Sequence, residues 1–336
     1  MVHLIDFRYN KINNLLVLGV VTIRTNIIKS AGIPKKRGGL FGLRQYGYLY
    51  LLLLPGILYL IIFKYVPMFG LQLAFKNFKA GLGITGSPWV GLEHFRSLII
   101  NRGFVRALIN TLSISFLKVI CGFPLPIILT LLLNELRWKK YKSALQTVYT
   151  FPHFLSWVVL SGMYFNLLAG DGIINQALML MGHERQSILT SPSSFRWLLV
   201  FSAMWKEGGW STILYLAAIA GIDEAIYEAA KIDGANRLQK IMYITLPGIS
   251  SMIIVTLILN LSTVLDAGYE QVFNLYNATV YESADIIDTF VYRISFQQTP
   301  DFGFSTAVGL FKGVSNMILL LSVNKIVKLF GQKGIV

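Results

Sequence analysis

Six apolar stretches, each long enough to cross a bilayer as a helix, constrain this chain more than any other feature of its sequence. They are Gln45–Phe63, Ala107–Asn134, Ser143–Gly170, Trp197–Gly221, Ile241–Leu265 and Phe302–Asn324. A hydrocarbon core about 30 Å thick takes roughly 20 helical residues, and within it every backbone N–H and C=O must be satisfied internally. Ile241–Leu265 runs for 25 residues without Asp, Glu, Lys or Arg, and Ser143–Gly170 is likewise free of them. Lys118, Lys206-Glu207 and Lys312 are the only interruptions of the second, fourth and sixth stretches. The expected fold is all-α: a polytopic membrane protein with six core transmembrane helices. Pro55, Pro124, Pro126 and Pro152 are expected to kink their helices, each ring removing a ladder bond.

Composition agrees. Hydrophobic residues make up 54% of the 336 and charged residues only 14%, against roughly 25% charged in soluble domains. A net charge of +14 would suggest nucleic acid in a soluble protein. Here it fits the positive-inside bias and anionic headgroups of a lipid bilayer, and no nucleic-acid partner is expected. The lone Cys121 permits no internal disulfide and no cysteine-rich metal site. Leu15–Ile23, behind Arg8 and Lys11, is too short to span. Residues 1–44 therefore read as a cytoplasmic or interfacial arm, and 45–336 as the transmembrane domain.

Six crossings place both ends on one side. That side collects Lys29, Lys35, Lys36, Arg37 and Arg44, then Arg137, Lys139, Lys140 and Lys142, then Lys231, Arg237 and Lys240, then Lys325, Lys328 and Lys333. The Lys/Arg excess orients it toward the cytoplasm, so both termini are expected there. The first outer loop is also basic, with Lys64, Lys76, Lys79, Arg96, Arg102 and Arg106. Those charges fit lipid headgroups or an acidic saccharide such as a uronate oligomer.

Residues 222–247 form a polar insertion between two apolar spans on the cytoplasmic side. Asp223 suits an N-cap, with Glu224 in the first turn. Ile222, Ala225, Ile226, Ala229 and Ala230 recur at helical spacing as one apolar stripe. Gly234 suits a left-handed helix stop, Asn236 a second cap, and Pro247 the first turn of the fifth span. The spacing predicts a short helix, a turn and a second short helix. Glu224 and Glu228 repel at i,i+4; a basic partner would relieve this, while pairing of Glu228 with Lys231 would make the helix an ordinary solvated one.

Glu228-Ala229-Ala230, three residues, Gly234, nine residues, Ile244, one residue, Leu246-Pro247 resembles the signature loop of permease subunits of binding-protein-dependent ABC importers. Tyr48–Pro67, Asn110-Thr111, Asn134-Glu135 and Trp205–Gly221 resemble the oligosaccharide branch of that family, which includes permeases for maltose and alginate. The resemblance covers about residues 45–330. It implies the type I ABC importer transmembrane-domain fold in a bacterial cytoplasmic membrane. It makes Glu228, Ala229, Ala230, Gly234, Ile244, Leu246 and Pro247 an ATPase-coupling loop whose first helix sits in a cleft of a soluble subunit. The partners it implies are a second permease forming a heterodimer, two ATP-binding cassette ATPase subunits and an extracytoplasmic solute-binding protein that delivers an oligosaccharide. The chain has no Gly-x4-Gly-Lys-Ser/Thr cradle, and Gly309-Leu-Phe-Lys-Gly313 is too short for one. No cofactor is expected on this chain, ATP and Mg²⁺ belonging to the partner subunits.

Intramembrane polar groups are costly and usually face a cavity or a partner. Lys118, Lys206, Glu207, Asn260 and Asp266 are the candidates to line a pathway for a hydroxyl-rich solute. Buried pairing of Lys118 or Lys206 with Glu207 or Asp266 is the structural alternative. Gly208-Gly209 reads as a weak point where the fourth helix bends.

Other readings are an ABC permease for a non-sugar solute and an ion-coupled secondary transporter. The latter leaves the signature loop unexplained. The four histidines are scattered, His183-Glu184 lacks the second His of a zinc-hydrolase helix, and Phe302-Gly303-Phe304-Ser305 lacks the second glycine of a nucleophile elbow. Neither catalytic nor metal-ligating residues are expected.

Overall fold

The computed structural model describes residues 47–329. The expected N-terminal arm and Leu15–Ile23 lie outside the described residues. The chain divides into two compact units between Phe69 and Gly70.

In the first unit, α1 (Gly47–Leu60) continues through a π turn at Ile61–Tyr65 into Val66–Met68. Pro55 sits inside α1. No residue of α1 is buried, and Leu51 and Leu52 are 69% and 75% exposed. An apolar face open to the surroundings is ordinary for a lipid-facing helix, since lipid is as apolar as leucine.

The second unit holds α2 (Glu93–Ile100), α3 (Arg102–Gly122), α4 (Pro124–Asn134), α5 (Lys139–Thr150), α6 (Trp157–Leu168), α7 (Ile173–Leu180), α8 (Pro192–Ala220), α9 (Glu224–Ile232), α10 (Arg237–Lys240), α11 (Ser250–Ser262), α12 (Tyr269–Leu275), α13 (Ile287–Tyr292) and α14 (Phe302–Leu329). No strand occurs among the described residues, only an isolated bridge between Lys76 and Trp89.

Among the described residues four helical runs are long and apolar enough to cross a membrane: Gly47–Phe75, Arg102–Asn134, Trp157–Leu180 and Phe302–Leu329. A fifth is broken, Arg237–Gly248 and Ser250–Ser262 meeting at 59°. The remaining expected span, the fourth along the chain, is α8, whose 29 residues make about 43 Å of helix at 1.5 Å per residue. Lys206-Glu207, glycines and serines dilute its hydropathy.

Two expected spans are corrected. Ser143–Gly170 is not one helix: α5 stops at Thr150, Phe151–Phe154 forms a 3-10 turn containing Pro152, and α6 begins at Trp157 behind the Ser156 N-cap. Proline cannot donate the bond that would continue α5. Ile241–Leu265 is likewise interrupted: a π turn at Ile241–Thr245 and the short Leu246–Gly248 helix precede the bend at Ile249. Pro124, by contrast, lies in the first turn of α4, where its missing N–H costs nothing.

Helix α8 is the central post, packing most heavily on α4 and α3, while α11 packs on α14. Gly208 and Gly209 do not bend it, because α8 runs unbroken through both. They permit contact instead. A Cβ on Gly209 would lie 1.9 Å from the Tyr149 carbonyl oxygen, and one on Gly208 2.9 Å from Leu125.

The segment 276–293 is fastened to α3 and α8 by largely buried polar groups. Asn110 Nδ2 donates to the Glu282 and Asp285 carbonyls at 3.0 and 3.2 Å. Arg196 donates to the Ser283 carbonyl and to Asn110 Oδ1 at 2.9 and 3.0 Å. Thr111 Oγ1 accepts from Ile287 N at 2.9 Å. Fully buried Asp285 takes a two-pronged contact from Arg293, the strong geometry for guanidinium and carboxylate.

Candidate coupling surface and polar pathway

The loop between α8 and α11 is built from local signals. Asp223 caps α9, its side chain accepting from Ala225 N at 3.0 Å. At the other end Gly234 adopts φ +77, the left-handed conformation that glycine takes without a Cβ penalty. Ala235 N then donates to Ala230 O at 2.9 Å and Gly234 N to Lys231 O at 3.2 Å, a complete Schellman stop. The next residue but one, Asn236, opens α10 with a reciprocal capping box: Gln239 N to Asn236 Oδ1 at 2.9 Å and Asn236 N to Gln239 Oε1 at 2.8 Å. The helix, turn and second helix expected from the spacing are all present.

No residue of α9 or α10 is buried. Ile232, Leu238 and Tyr243 are 87%, 70% and 79% exposed. Glu228 and Ala229 face outward. Among the described residues the ion pairs include neither Glu228 nor Lys231, so the solvated pairing of the two is not formed. Ala230, Gly234 and Ile244 line one concavity of about 380 Å³ with Lys240 and Tyr243. Leu246 and Pro247 lie in the short helix that leads into the bend at Ile249. Ile222 is wedged against Gly248, where a Cβ would come within 2.5 Å of its Cδ1. Arg237 reaches toward Glu135, at the end of α4, at 3.9 Å.

The five pathway candidates separate into two places. Lys118, Glu207 and Asn260 share a cavity of about 350 Å³ with Gly208, Tyr215 and Thr256. Asp266 lines a different cavity, and Lys206 lines neither. Lys118 Nζ donates to the Ala267 carbonyl at 2.7 Å and also to Gln271 Oε1. Gln271 in turn donates to Leu199 O and Ser202 Oγ. Asn260 Nδ2 donates to Thr256 O at 2.8 Å.

Of the expected pairings one is formed, but it is not buried on both sides, since the Glu207 side chain is 50% exposed. Lys206 Nζ stands 3.7 Å from Glu207 Oε1 and donates to the His153 carbonyl at 2.6 Å. Asp266 pairs with neither Lys118 nor Lys206; its partner is Lys312, at 2.6 Å. The sequence reading passed over Lys312 as a mere interruption of an apolar run and His153 as one of four scattered histidines. His153 Nδ1 lies 2.8 Å from Glu207 Oε2, and its ring stacks on Trp210 with centroids 4.6 Å apart. A charge left inside an apolar run was the available signal for Lys312. Nothing in the sequence pointed to His153, which only the break at Pro152 brings beside Glu207.

Lys76 is corrected as a free cation of the first outer loop. It is 9% exposed, and its ammonium donates to the Ile84 and Thr85 carbonyls at 2.8 and 3.2 Å. Its task is to fold that loop, whose Phe75 and Trp89 rings stack at 5.5 Å.

Residues 122–331 match the model of a family described as binding-protein-dependent transport system inner membrane component. The chain is 46% identical to the polygalacturonan/rhamnogalacturonan transport system permease protein YteP of Bacillus subtilis, over 90% of this chain and 94% of the relative. It is 43% identical to Protein LplB of the same organism, over 90% and 99%. Among solved structures it is similar to a chain of a bacterial alginate ABC transporter in complex with alginate pentasaccharide-bound periplasmic protein. The TM-score there is 0.80 at 39% identity, covering 88% of this chain and 98% of that one. With its signature loop formed and its helices arranged as in that transporter, this chain belongs to the family of binding-protein-dependent transport system inner membrane components.

Proposed function

We propose that this chain is the permease subunit of an ATP-driven importer that moves an oligosaccharide handed over by an extracytoplasmic solute-binding protein. The carrying observation is α9: an exposed, doubly capped helix whose Glu228 has no ion-pair partner among the described residues, in a chain 46% identical to a polygalacturonan/rhamnogalacturonan permease. A helix with apolar Ile226 and Ile232 in the open and an unpaired carboxylate suits a groove on a soluble subunit that offers a basic residue. Glu228, Ala229 and Ala230 form the contact, Gly234 the turn, and Ile244, Leu246 and Pro247 the joint to the fifth span.

The chain itself supplies motion rather than catalysis. Two ATPase subunits, holding ATP and Mg²⁺, draw the coupling loops together, and the spans of this permease and a second one shift between two packings. Both termini lie on the cytoplasmic side, following the lysine and arginine excess there. The 350 Å³ cavity of Lys118, Glu207 and Asn260 is the part of the pathway that offers hydroxyl-binding groups. The receptor acts by binding one packing better than the other.

The test is ATP-driven saccharide uptake by the whole assembly in liposomes. Glu228→Lys and Gly234→Pro abolish uptake while membrane insertion stays normal, and a cysteine on α9 cross-links to an ATPase subunit. Uptake that persists in both variants, or that follows a proton or sodium gradient with ATP absent, overturns the reading.

A further inference from the structure

A second cavity, of about 670 Å³, opens at the far end of the fifth span from the coupling loop. Its walls include Trp157, Asp266, Tyr269, Glu270, Asp288, Tyr292, Phe296 and Lys312. The turn Val264–Gly268 touches both this cavity and the first. Lys118, which lines the first, bonds to Ala267 O, while Asp266 and Gly268 line the second.

Two features of this cavity point to a ligand. The first is its aromatic wall. Tyr269, Phe273, Tyr292 and Phe296 form a continuous ladder with successive centroids 5.3, 4.8 and 5.4 Å apart. The ladder fixes the ring orientations. Phe296 is nonetheless 70% exposed, and Tyr269 and Tyr292 keep part of their surface open to the cavity. Rings held rigid at an open wall offer flat apolar area at little entropic cost, which is what the C–H face of a pyranose requires.

The second feature is charge. Lys312 Nζ contacts Asp266 at 2.6 Å and both Asp288 oxygens at 2.7 Å. One ammonium thus serves two carboxylates, and Glu270 adds a third acid to the same wall. Lys206 stands 5.7 Å from the centroid of Trp157, but it is engaged by Glu207 and the His153 carbonyl. The wall therefore carries acceptors in excess and no uncommitted cation. Burial pushes the Asp288 carboxyl above its ordinary value; Lys312 pulls it down, and Asp266 adds to the rise. A further anion meets repulsion here, while sugar hydroxyls find carboxylate oxygens to donate to.

We propose that this cavity is a second saccharide subsite, which takes an uncharged, hydroxyl-bearing sugar residue and disfavours a uronate. It rests on the reading of the chain as an oligosaccharide permease and adds to it where the chemical character of one sugar residue is read. Tyr292 and Phe296 stack on the ring, Asp266 and Asp288 accept its hydroxyls, and Glu270 repels a carboxylate.

The experiment is calorimetric binding to the purified assembly without its solute receptor, at low salt. The probes are a galacturonate trisaccharide and its fully methyl-esterified form, equal in length and differing in charge. Tyr292→Ala weakens binding of the ester at least tenfold, whereas Tyr292→Phe stays within about threefold. Glu270→Gln, a change at an exposed position, strengthens binding of the free acid about fivefold and leaves the ester within twofold. Ester binding that ignores Tyr292→Ala, acid binding that ignores Glu270→Gln, or no binding of either probe overturns the subsite. Failure of the permease reading is a separate result: it is loss of ATP-driven uptake of every saccharide by the unaltered assembly.

Discussion

The hydroxyls of Tyr227 and Thr245 meet at 2.9 Å and tie α9 to the π turn at Ile241–Thr245. Thr245 is buried, and its Oγ1 also lies 3.3 Å from the Lys240 carbonyl as donor. The bond joins the middle of α9 to the residue just before Leu246-Pro247, so displacement of one element is passed to the other.

Tyr227→Phe removes that bond and little else. A partly buried hydrogen bond contributes about 1 kcal/mol, so insertion and assembly persist. Uptake per ATP hydrolysed falls by about three- to tenfold, measured in liposomes with both quantities followed together. A variant with unchanged stoichiometry shows that the bond carries no force.

Gly209→Ala tests the seat of α8 on Tyr149. Alanine gains about 1 kcal/mol of helix propensity over glycine, but its Cβ falls 1.9 Å from a backbone oxygen that has no rotamer to yield. Overpacking of this kind costs about 1–3 kcal/mol or more. The variant melts at lower temperature in detergent. Gly162→Ala, with nothing within 4 Å of the new methyl, melts at the same temperature or higher.

Asp285→Asn leaves the largely buried Arg293 against a neutral amide. Removing one partner of a buried ion pair costs about 3–5 kcal/mol, and here Asp285 is wholly inaccessible. The segment 276–293 loosens, read as faster proteolysis between Tyr276 and Gln298. The contribution of the pair through Arg293 is independent of pH near neutrality. The hydrogen bonds that the guanidinium donates to Asp285 are the largest cause holding it above its ordinary value. A raised cation contributes fully at every pH below its ordinary, strongly alkaline unfolded value, and loses that contribution only above its folded one. Unfolding midpoints that differ between wild type and Asp285→Asn by a constant amount from pH 7 to 9 are the expected result.

Glu207→Ala removes the only carboxylate of the first cavity and releases His153 and Lys206 together. Uptake changes at least tenfold, and His153→Gln, which keeps a donor toward Glu207, changes it less. Equal, wild-type uptake in both variants takes Glu207 out of the pathway.

Much of this architecture was legible in advance because local chemistry decides it. Asp223, Gly234 and Asn236 announced the caps and stop of the coupling loop, and each forms as its residue type dictates. Apolar run length located the spans, since lipid imposes one rule on all of them. The breaks were misjudged where one residue competes with an otherwise continuous apolar run. Pro152 ends α5 outright, whereas Pro124 is absorbed at a helix start. Gly208-Gly209 was misread because flexibility and close packing call for the same missing side chain. Only the approach of Tyr149 and Leu125 distinguishes the two. The ionic partnerships were the least legible. Asp266 finds Lys312 across 46 residues of chain, and no spacing rule links a turn to the middle of a distant helix.

The back-to-back stop and start at Ala230–Gln239 leaves every backbone N–H from Asp233 to Asn236 bonded through the tightest part of the loop, so the curve is stiff and a push is passed on rather than dissipated. A joint without play works in both directions. Whatever sugar occupancy does to the spans must, by thermodynamic reciprocity, be felt as a changed grip where the nucleotide-burning subunits dock, and a loaded transporter should hold those subunits with a different affinity from an empty one.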